Sequence, residues 1–157
     1  MTRIQTSFLC GLALSVSAAV NAQTDSTQIK AVQKTVMQLF DGMRKGDSTM
    51  VKTAFVENPG LSTTYVDPQG IPQVERGSFK GFLMGVGTPH DEIWDEHLLS
   101  IEIKVDDGIA EVWGPYVFYL GKQRLHCGVN SFQLVKTANG WKILSLVDSH
   151  REENCGD

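Results

Sequence analysis

Apolar residues recur at three- and four-residue spacings near the start of the chain. From Thr24 to Arg44 this spacing predicts one long helix with a single apolar stripe, formed by Ile29, Val32, Val36, Leu39, Phe40 and Met43. Gly46 can end this helix, and Asp47 can cap a second, shorter one. A third helix is predicted from Ser78 to Val86, although glycines interrupt it. The first half of the chain is therefore expected to be mainly helical.

The pattern changes to strands in the second half of the chain. Alternating apolar residues predict one strand from Trp94 to Val105, in which His97 faces the core as a hydrogen-bonded residue. Asp107-Gly108 predicts a two-residue turn. The next segment, Ile109 to Leu120, is apolar on both faces, as is typical of a covered central strand, and Pro115 predicts a bulge there. Helices followed by an antiparallel meander indicate an α+β fold.

The closing hairpin sets the predicted register of the last two strands. Asn139-Gly140 is a strong signal for a type I′ turn, which needs positive φ at both central residues. With that turn, Asn130 lies opposite Ser149, and His126 and His150 fall on different faces of the sheet. Histidines on different faces cannot share a metal ion, and the chain shows no ligand spacing typical of zinc. We therefore predict no metal site and no cofactor.

The first 22 residues have the features of a secretory signal peptide. Arg3 supplies a positive start, an apolar core runs from Phe8 to Ala19, and Ala22 is a small residue that suits signal peptidase. This core is too short to span a membrane. The sequence therefore predicts a signal peptide over residues 1–22, one domain over residues 23–157, and a periplasmic or secreted protein.

Charge and cysteine content restrict the partners and the compartment. The 157 residues carry a formal net charge of −4, which argues against nucleic acid as a partner. No second apolar run reaches membrane length, so membrane insertion is not expected. Cys127 and Cys155 are the cysteines that follow the predicted signal peptide, and a pair in an oxidising compartment predicts a disulfide.

Several short motifs resemble those of the nuclear-transport-factor-2-like superfamily, which includes ketosteroid isomerases, SnoaL-type polyketide cyclases and scytalone dehydratase. These motifs are Gly46-Asp47, Phe55, Asp67-Pro68 and the closing Phe132 with Gly140-Trp141-Lys142-Ile143. Others are similar to exported single-domain members, some of which carry a provisional lumazine-binding label: Ile93-Trp94-Asp95-Glu96, His126-Cys127-Gly128-Val129-Asn130, and Asp148-Ser149 with Arg151 and Cys155. The resemblance implies a cone-shaped α+β fold, with N-terminal helices packed on a strongly curved, mostly antiparallel sheet.

The resemblance also suggests which residues would act in an isomerase of this superfamily. The general base of that family lies just before a proline at the end of the first strand, a place that Asp67 occupies here. The tyrosine that donates to the oxyanion falls at Leu39, and the protonated aspartate beside it falls at Asn130. An amide cannot replace a neutral carboxyl group in that role, so steroid-type isomerisation is not expected.

A cavity within the cone is the expected binding site. The resemblance implies that the strand face carrying Asn130 and Phe132 lines this cavity, and the predicted register adds further members. The predicted ligand-binding residues are Trp113, Val117, Tyr119, Asn130, Phe132 and Trp141. An apolar cavity with few polar groups is typical of small-molecule sites, so we expect a small, mainly apolar or heteroaromatic ligand.

Two other functions remain open from the sequence. The chain can be an enzyme of the cyclase, dehydratase or isomerase type that uses Asp67 as its general base. It can instead be an interaction module that uses the outer face of the sheet. Because the central strand is apolar on both faces, its second face needs a cover, and a homodimer through the outer sheet face would supply one.

Overall fold

The structure is a computed structural model that describes residues 16–155 of the chain, with side chains described from residue 26 onward. The first 15 residues of the predicted signal peptide lie outside this range. The described part contains three helices and seven strands. The helices are α1 (Val16–Lys45), α2 (Ser48–Ala54) and α3 (Phe79–Gly87). The strands are β1 (Phe55–Val66), β2 (Pro72–Arg76), β3 (Trp94–Leu98), β4 (Glu102–Asp106), β5 (Ile109–Leu120), β6 (Gln123–Thr137) and β7 (Gly140–Ser149).

The strands form one sheet in the order β2-β1-β7-β6-β5-β3, and β4 pairs with β5 beyond the end of β3. All the pairings are antiparallel except that of β1 with β7. The helices cover one face of this sheet, which we call the inner face; the opposite face is the outer face. The predicted α+β class, with N-terminal helices on a mostly antiparallel sheet, is confirmed.

The predicted apolar stripe of α1 forms the centre of the core. Val32, Val36 and Leu39 are almost fully buried, and they pack in one cluster with Phe132 and Ile143 from the sheet. Burying side chains of this size stabilises the fold by about 1.5–3 kcal/mol each. No helix within residues 16–155 has the length and apolar character needed to cross a membrane.

The predicted caps separate α1 from α2. Gly46 has φ +64°, a left-handed conformation that a glycine adopts without strain, and it ends α1 as expected. The Asp47 side chain accepts a hydrogen bond of 2.8 Å from the Met50 backbone N–H and so caps α2. This sharp connection brings α2 onto α1, because the two helices share the same core cluster.

Two turns were predicted, and only one has the expected register. The Asp107-Gly108 turn pairs Lys104 with Glu111, as its sequence predicts. The second turn was placed one residue too late: its central residues are Ala138 and Asn139, and Gly140 begins β7. Only Gly140 has positive φ there (+91°), so the type I′ turn is not formed. The closing hairpin is therefore shifted from the predicted register.

Single extra residues also interrupt the regular pairing of the long strands. Leu125 is the extra residue in β6, between the pairs Phe118–His126 and Tyr119–Arg124. Leu144 is the extra residue in β7. Because side chains alternate between faces, each such bulge moves every following side chain to the other face of the sheet.

A disulfide holds the end of the chain against the outer face. Cys127 and Cys155 are bonded, which confirms the predicted pair, and they form a small buried cluster with Val117. Tyr119 packs against this cluster. A bridge between Cys127 and Arg151 continues the backbone pairing beyond β7. The chain end therefore covers one end of the outer face of β5 and β6.

Candidate functional site

Five polar side chains form a row across the inner face of the sheet, one on each of five strands. We call this row the polar belt: Thr63 (β1), Glu96 (β3), Tyr116 (β5), Asn130 (β6) and Asp148 (β7). Directly paired residues of neighbouring strands lie on the same face. Asp148 pairs with both Thr63 and Asn130, which places those three side chains together. The belt lies beside the apolar cluster that the helices cover.

Hydrogen bonds join the polar belt into two groups. The Asn130 side-chain Nδ2 donates to Oε1 of Glu96 over 2.6 Å. Asn130 is only 3% exposed, and among residues 26–155 it is the one polar residue classed as buried. Asp148 accepts from the Thr63 hydroxyl at Oδ1 over 2.7 Å, and from the Tyr116 hydroxyl at Oδ2 over 3.1 Å. The Asp148 carboxylate is therefore held at both oxygens.

The environment of Glu96 favours its protonated form. Loss of solvent around its carboxyl end raises the pKa to about 8, and the negative charge of Asp148 adds to this effect, although the Asn130 hydrogen bond opposes it. The residue as a whole keeps some exposed surface. Burial and the charge of Asp148 also raise the pKa of Tyr116. Near neutral pH the belt thus combines a neutral carboxyl group, a phenol, an amide and a carboxylate.

A row of aromatic rings lies next to the polar belt on the same face. We call it the aromatic rim: His90, Trp94, Phe118, His126 and His150. The His126 ring stacks between Phe118, at a centroid distance of 4.9 Å, and His150, at 3.8 Å. Desolvation lowers the pKa of His126 to about 4, with a smaller contribution from His150. The rim therefore presents flat rings, and its central histidine is neutral at pH 7.

The stacked histidines correct the predicted register. The sequence placed His126 and His150 on different faces, but their rings are in contact because the hairpin turn comes earlier than expected and β7 has a bulge. No group of three or more histidine, cysteine or acidic side chains in the described part of the chain is arranged to hold a metal ion.

The six predicted ligand-binding residues divide between the two faces. Asn130, Phe132 and Trp141 are buried on the helix side of the sheet, whereas Trp113, Val117 and Tyr119 are on the outer face. The bulge at Leu125 is the cause: Asn130 pairs with Gly114, not with Trp113, and Trp113 is 47% exposed. The predicted shared lining is therefore wrong for these three residues.

The inner-facing aromatic residues of that set are core residues. Phe132 packs edge-on against Phe40 of α1 at a centroid distance of 6.2 Å. The Trp141 indole donates to the Gln28 side chain over 3.0 Å. Both residues hold α1 onto the sheet, so of the predicted ligand-binding set Asn130 alone belongs to the polar belt.

Asp67 lies in a turn, where it organises its own loop. Its carboxylate accepts hydrogen bonds from the backbone N–H groups of Ile71 and Gln69 and from the Gln73 side chain. These bonds lower the pKa of Asp67, and the bond from the Ile71 N–H has the largest effect. A general base at neutral pH needs the opposite shift, so this environment favours the turn-forming role.

Glu96 is the functional candidate that the sequence did not reveal. The segment predicted as one strand is broken between β3 and β4, at residues 99–101, opposite Pro115. The break changes which residues face inward, so Glu96 and Leu98 point to the inner face, while His97 is exposed and bonded to Asp95. The prediction of His97 as a core residue is wrong for this reason. A groove of about 390 Å³ beside α1 also reaches Glu96.

Solved structures with similar folds identify the architecture. The chain is similar to an NTF2-like protein with a cystatin-like fold from Novosphingobium aromaticivorans, at 10% identity and a TM-score of 0.67 over 90% of this chain and 94% of that one. It is also similar to a protein of the same organism that is assigned provisionally as a scytalone dehydratase, at 18% identity and a TM-score of 0.62 over 83% of this chain and 88% of that one. An NTF2-like superfamily protein of Salmonella enterica serovar Typhimurium is similar at 21% identity and a TM-score of 0.62 over 82% of this chain and 94% of that one. Neither protein-family models nor curated proteins give a match. At these identities the likeness shows the fold alone.

Proposed function

We propose that this chain, which has the nuclear-transport-factor-2-like fold, binds a small, mainly apolar or heteroaromatic molecule at the inner face of its sheet. The observation that carries the proposal is the polar belt beside the aromatic rim. Polar side chains at the core side of a sheet must be hydrogen-bonded, and here five of them, bonded in two groups, converge next to flat rings, as in small-molecule sites with a few placed polar groups. The rings can contact the body of a ligand, and the belt can orient its polar edge.

The belt offers both kinds of hydrogen-bonding group. The protonated Glu96 carboxyl group can donate through its O–H, while its other oxygen accepts from Asn130. Asp148 can accept from a ligand with the lone pairs that Thr63 and Tyr116 leave free. A ligand with a carbonyl or hydroxyl group on an aromatic ring matches this arrangement.

The test uses coumarin, a flat bicyclic compound with one carbonyl group, and ligand-observed NMR on residues 23–157. We expect binding to the native chain, a loss of at least tenfold in affinity for Asn130→Leu, and no change for Trp113→Ala, the matched control on the outer face. Equal losses in the two variants, with both folded by circular dichroism, would place the site elsewhere and contradict the proposal.

A second candidate function is general acid–base catalysis. Glu96 and Asp148 are two carboxyl groups close to the same amide, and the environment of Glu96 favours its protonated form; such pairs supply an acid and a base in many enzymes. Elimination of water from an aromatic β-hydroxyketone needs both groups. Appearance of the conjugated enone by absorbance, lost in Glu96→Gln and kept in Asp67→Asn, would support this function over the one that uses Asp67.

The outer sheet face is the proposed contact of a homodimer. Exposed apolar side chains on its strands include Ile109, Trp113, Leu144 and Val147. Light scattering after size exclusion tests the dimer, and Trp113→Glu is expected to shift it to monomer. Partner capture by this same face, without self-association, would favour an interaction module instead.

Export is also proposed, and N-terminal sequencing of periplasmic protein is expected to begin at Gln23.

A further inference from the structure

We infer that the polar belt selects uncharged aromatic molecules that both accept and donate hydrogen bonds, such as aromatic amides, lactams and phenols, and that it excludes aromatic anions. The inference rests on the proposed function and specifies the ligand class of the same site. It depends on how charge is arranged around Asp148, Glu96 and the aromatic rim.

The Asp148 carboxylate brings a negative charge into the belt, and no ion pair of residues 26–155 holds it. Its two oxygens are bonded to the neutral hydroxyl groups of Thr63 and Tyr116. The positive charge of Arg151 also reaches Tyr116, but its effect there is smaller than that of Asp148, and its Nε donates to the Asn154 carbonyl oxygen. An incoming anion would therefore meet a carboxylate that no ion pair holds.

His126, the central ring of the aromatic rim, adds no positive charge near neutral pH. The His126 ring lies in a stack with Phe118 and His150, and its burial keeps it unprotonated at pH 7. A neutral imidazole can pack against a flat ligand, but it cannot form an ion pair with a carboxylate or sulfonate. Like charges in a partly desolvated site repel each other strongly, which is enough for at least tenfold discrimination.

Glu96 supplies the complementary donor. Its protonated carboxyl group offers an O–H to a ligand carbonyl, and Asp148 accepts an N–H or O–H from the same ligand edge. Asn130 links the two positions, because it is bonded to Glu96 and paired across the strands with Asp148. A ligand that carries a donor and an acceptor side by side satisfies both groups.

Three naphthalene probes of nearly the same shape test the inference: 2-naphthamide is neutral and both donates and accepts, 2-acetonaphthone only accepts, and 2-naphthoate is an anion. Titration calorimetry at pH 7 with residues 23–157 is expected to give at least tenfold tighter binding for the amide than for the naphthoate, with the ketone between them. Naphthoate binding that equals amide binding would overturn the inference and leave the proposed function intact. Binding of none of the three probes would overturn both.

Substitutions assign the selectivity to named groups. Asp148→Asn removes the charge while keeping polar contacts for Thr63 and Tyr116, so it is expected to improve naphthoate binding at least fivefold. Trp113→Ala, on the outer face, is expected to leave the amide-to-naphthoate ratio unchanged. An unchanged ratio in Asp148→Asn, in a variant that keeps its circular dichroism spectrum, would contradict the role of Asp148. If that variant does not fold, the ratio measured on the native chain still decides the inference.

The pH dependence of amide binding examines the donor. The charged or titratable groups around Glu96 are Asp148 on β7, Tyr116 on β5, Asp95 and His97 on its own strand, and Arg44 on α1, which is bonded to Asp41 and Asp95. Amide affinity is expected to fall several-fold between pH 7 and pH 9 as Glu96 loses its proton. In Glu96→Gln the affinity should stay constant over that range. A parallel fall in both proteins would contradict the donor role of Glu96.

Discussion

The Asn130 amide and the Glu96 carboxyl group form a hydrogen bond of 2.6 Å across the inner face of the sheet, from β6 to β3, with β5 between them. The residue of β5 that pairs with Asn130 is Gly114, which has no side chain to obstruct the amide. A side chain at that position would crowd Leu98 of β3. The bond therefore spans the middle strand, and it joins two of the five side chains on which the proposed function rests.

The stability of the protein is predicted to fall between pH 6.5 and pH 8.5. The folded pKa of Glu96, about 8, is above its unfolded value of 4.5, so the folded chain binds the extra proton and loses that advantage as pH rises towards 8. His126 has the opposite shift, from 6.5 to about 4, and its gain of stability with pH ends near 6.5. Above that pH only the Glu96 effect remains, about 1.4 kcal/mol per pH unit and about 2 kcal/mol in total.

Urea unfolding of residues 23–157 at half-unit pH steps measures this slope. Glu96→Gln is the matched control, because glutamine keeps an oxygen that accepts from Asn130 but does not titrate. Its stability is expected to be level from pH 6.5 to 8.5 and to exceed that of the native chain at pH 8.5. If the unfolding free energy of the native chain changes with pH as little as that of the variant, the protonated state of Glu96 is contradicted.

Acid sensitivity is predicted to depend on His126. Its folded pKa is depressed, so the unfolded chain binds the proton more tightly and stability is lost as pH falls from 6.5 towards 4. His126→Phe keeps a flat ring between Phe118 and His150 but removes the titration. The Glu96 shift acts in the opposite direction over this range, so both proteins are compared in a Glu96→Gln background. Thermal melts at pH 4.5 and pH 7 are expected to show a smaller difference with His126→Phe in that background than without it. An equal difference would assign the acid sensitivity to other groups.

The sequence was sufficient for the fold because long, periodic segments and strong turn signals determine it. The apolar stripe that includes Val32 and Leu39, the caps at Gly46 and Asp47, and the Asp107-Gly108 turn are local signals, and the structure contains all of them. The disulfide was predictable for a different reason, since only two cysteines follow the predicted signal peptide. These features do not depend on knowing which face a given strand residue occupies.

The site was less predictable, because it depends on that face. The bulges at Leu125 and Leu144, and the break between β3 and β4, each exchange the inner and outer side chains of a strand. These irregularities have no strong composition signal, and the first of them moved Trp113 outward while Asn130 stayed inward. The apolar–polar alternation of β5 does not decide between its faces, because both are largely apolar. Glu96 was missed because the break reverses the pattern that Ile103 and Val105 suggest.

Gly128 is predicted to tolerate no side chain. A Cβ atom there would overlap the Ser149 carbonyl oxygen and press on the Tyr116 ring at 3.0 Å. Both are parts of the strand end that carries the polar belt, and a backbone oxygen cannot move aside cheaply. Gly128→Ala is expected to cost at least about 3 kcal/mol of unfolding free energy. Gly108→Ala has open space around its Cβ and is expected to change stability by no more than about 0.5 kcal/mol. Denaturant unfolding of the two variants measures these losses. Similar losses in both would contradict the close packing at Gly128.

Reduction of the disulfide is predicted to lower the unfolding free energy and to loosen the chain end. Cys127 and Cys155 are 28 positions apart, and in the chain-entropy model a closed loop of that length contributes about 3–4 kcal/mol. The bond also keeps Val117 covered, because that residue is 5% exposed in the small cluster the two cysteines complete. Guanidinium unfolding of residues 23–157 with and without a phosphine reductant measures the loss, and a Cys127→Ala/Cys155→Ala double variant should not respond to the reductant.

Since the same tail follows His150, release of the tail is also expected to speed hydrogen exchange at residues 150–155 while the core strands near Phe132 keep their protection. Equal stability in the two redox states, or two titratable thiols in the unreduced protein, would show that the bond does not hold the chain end in place.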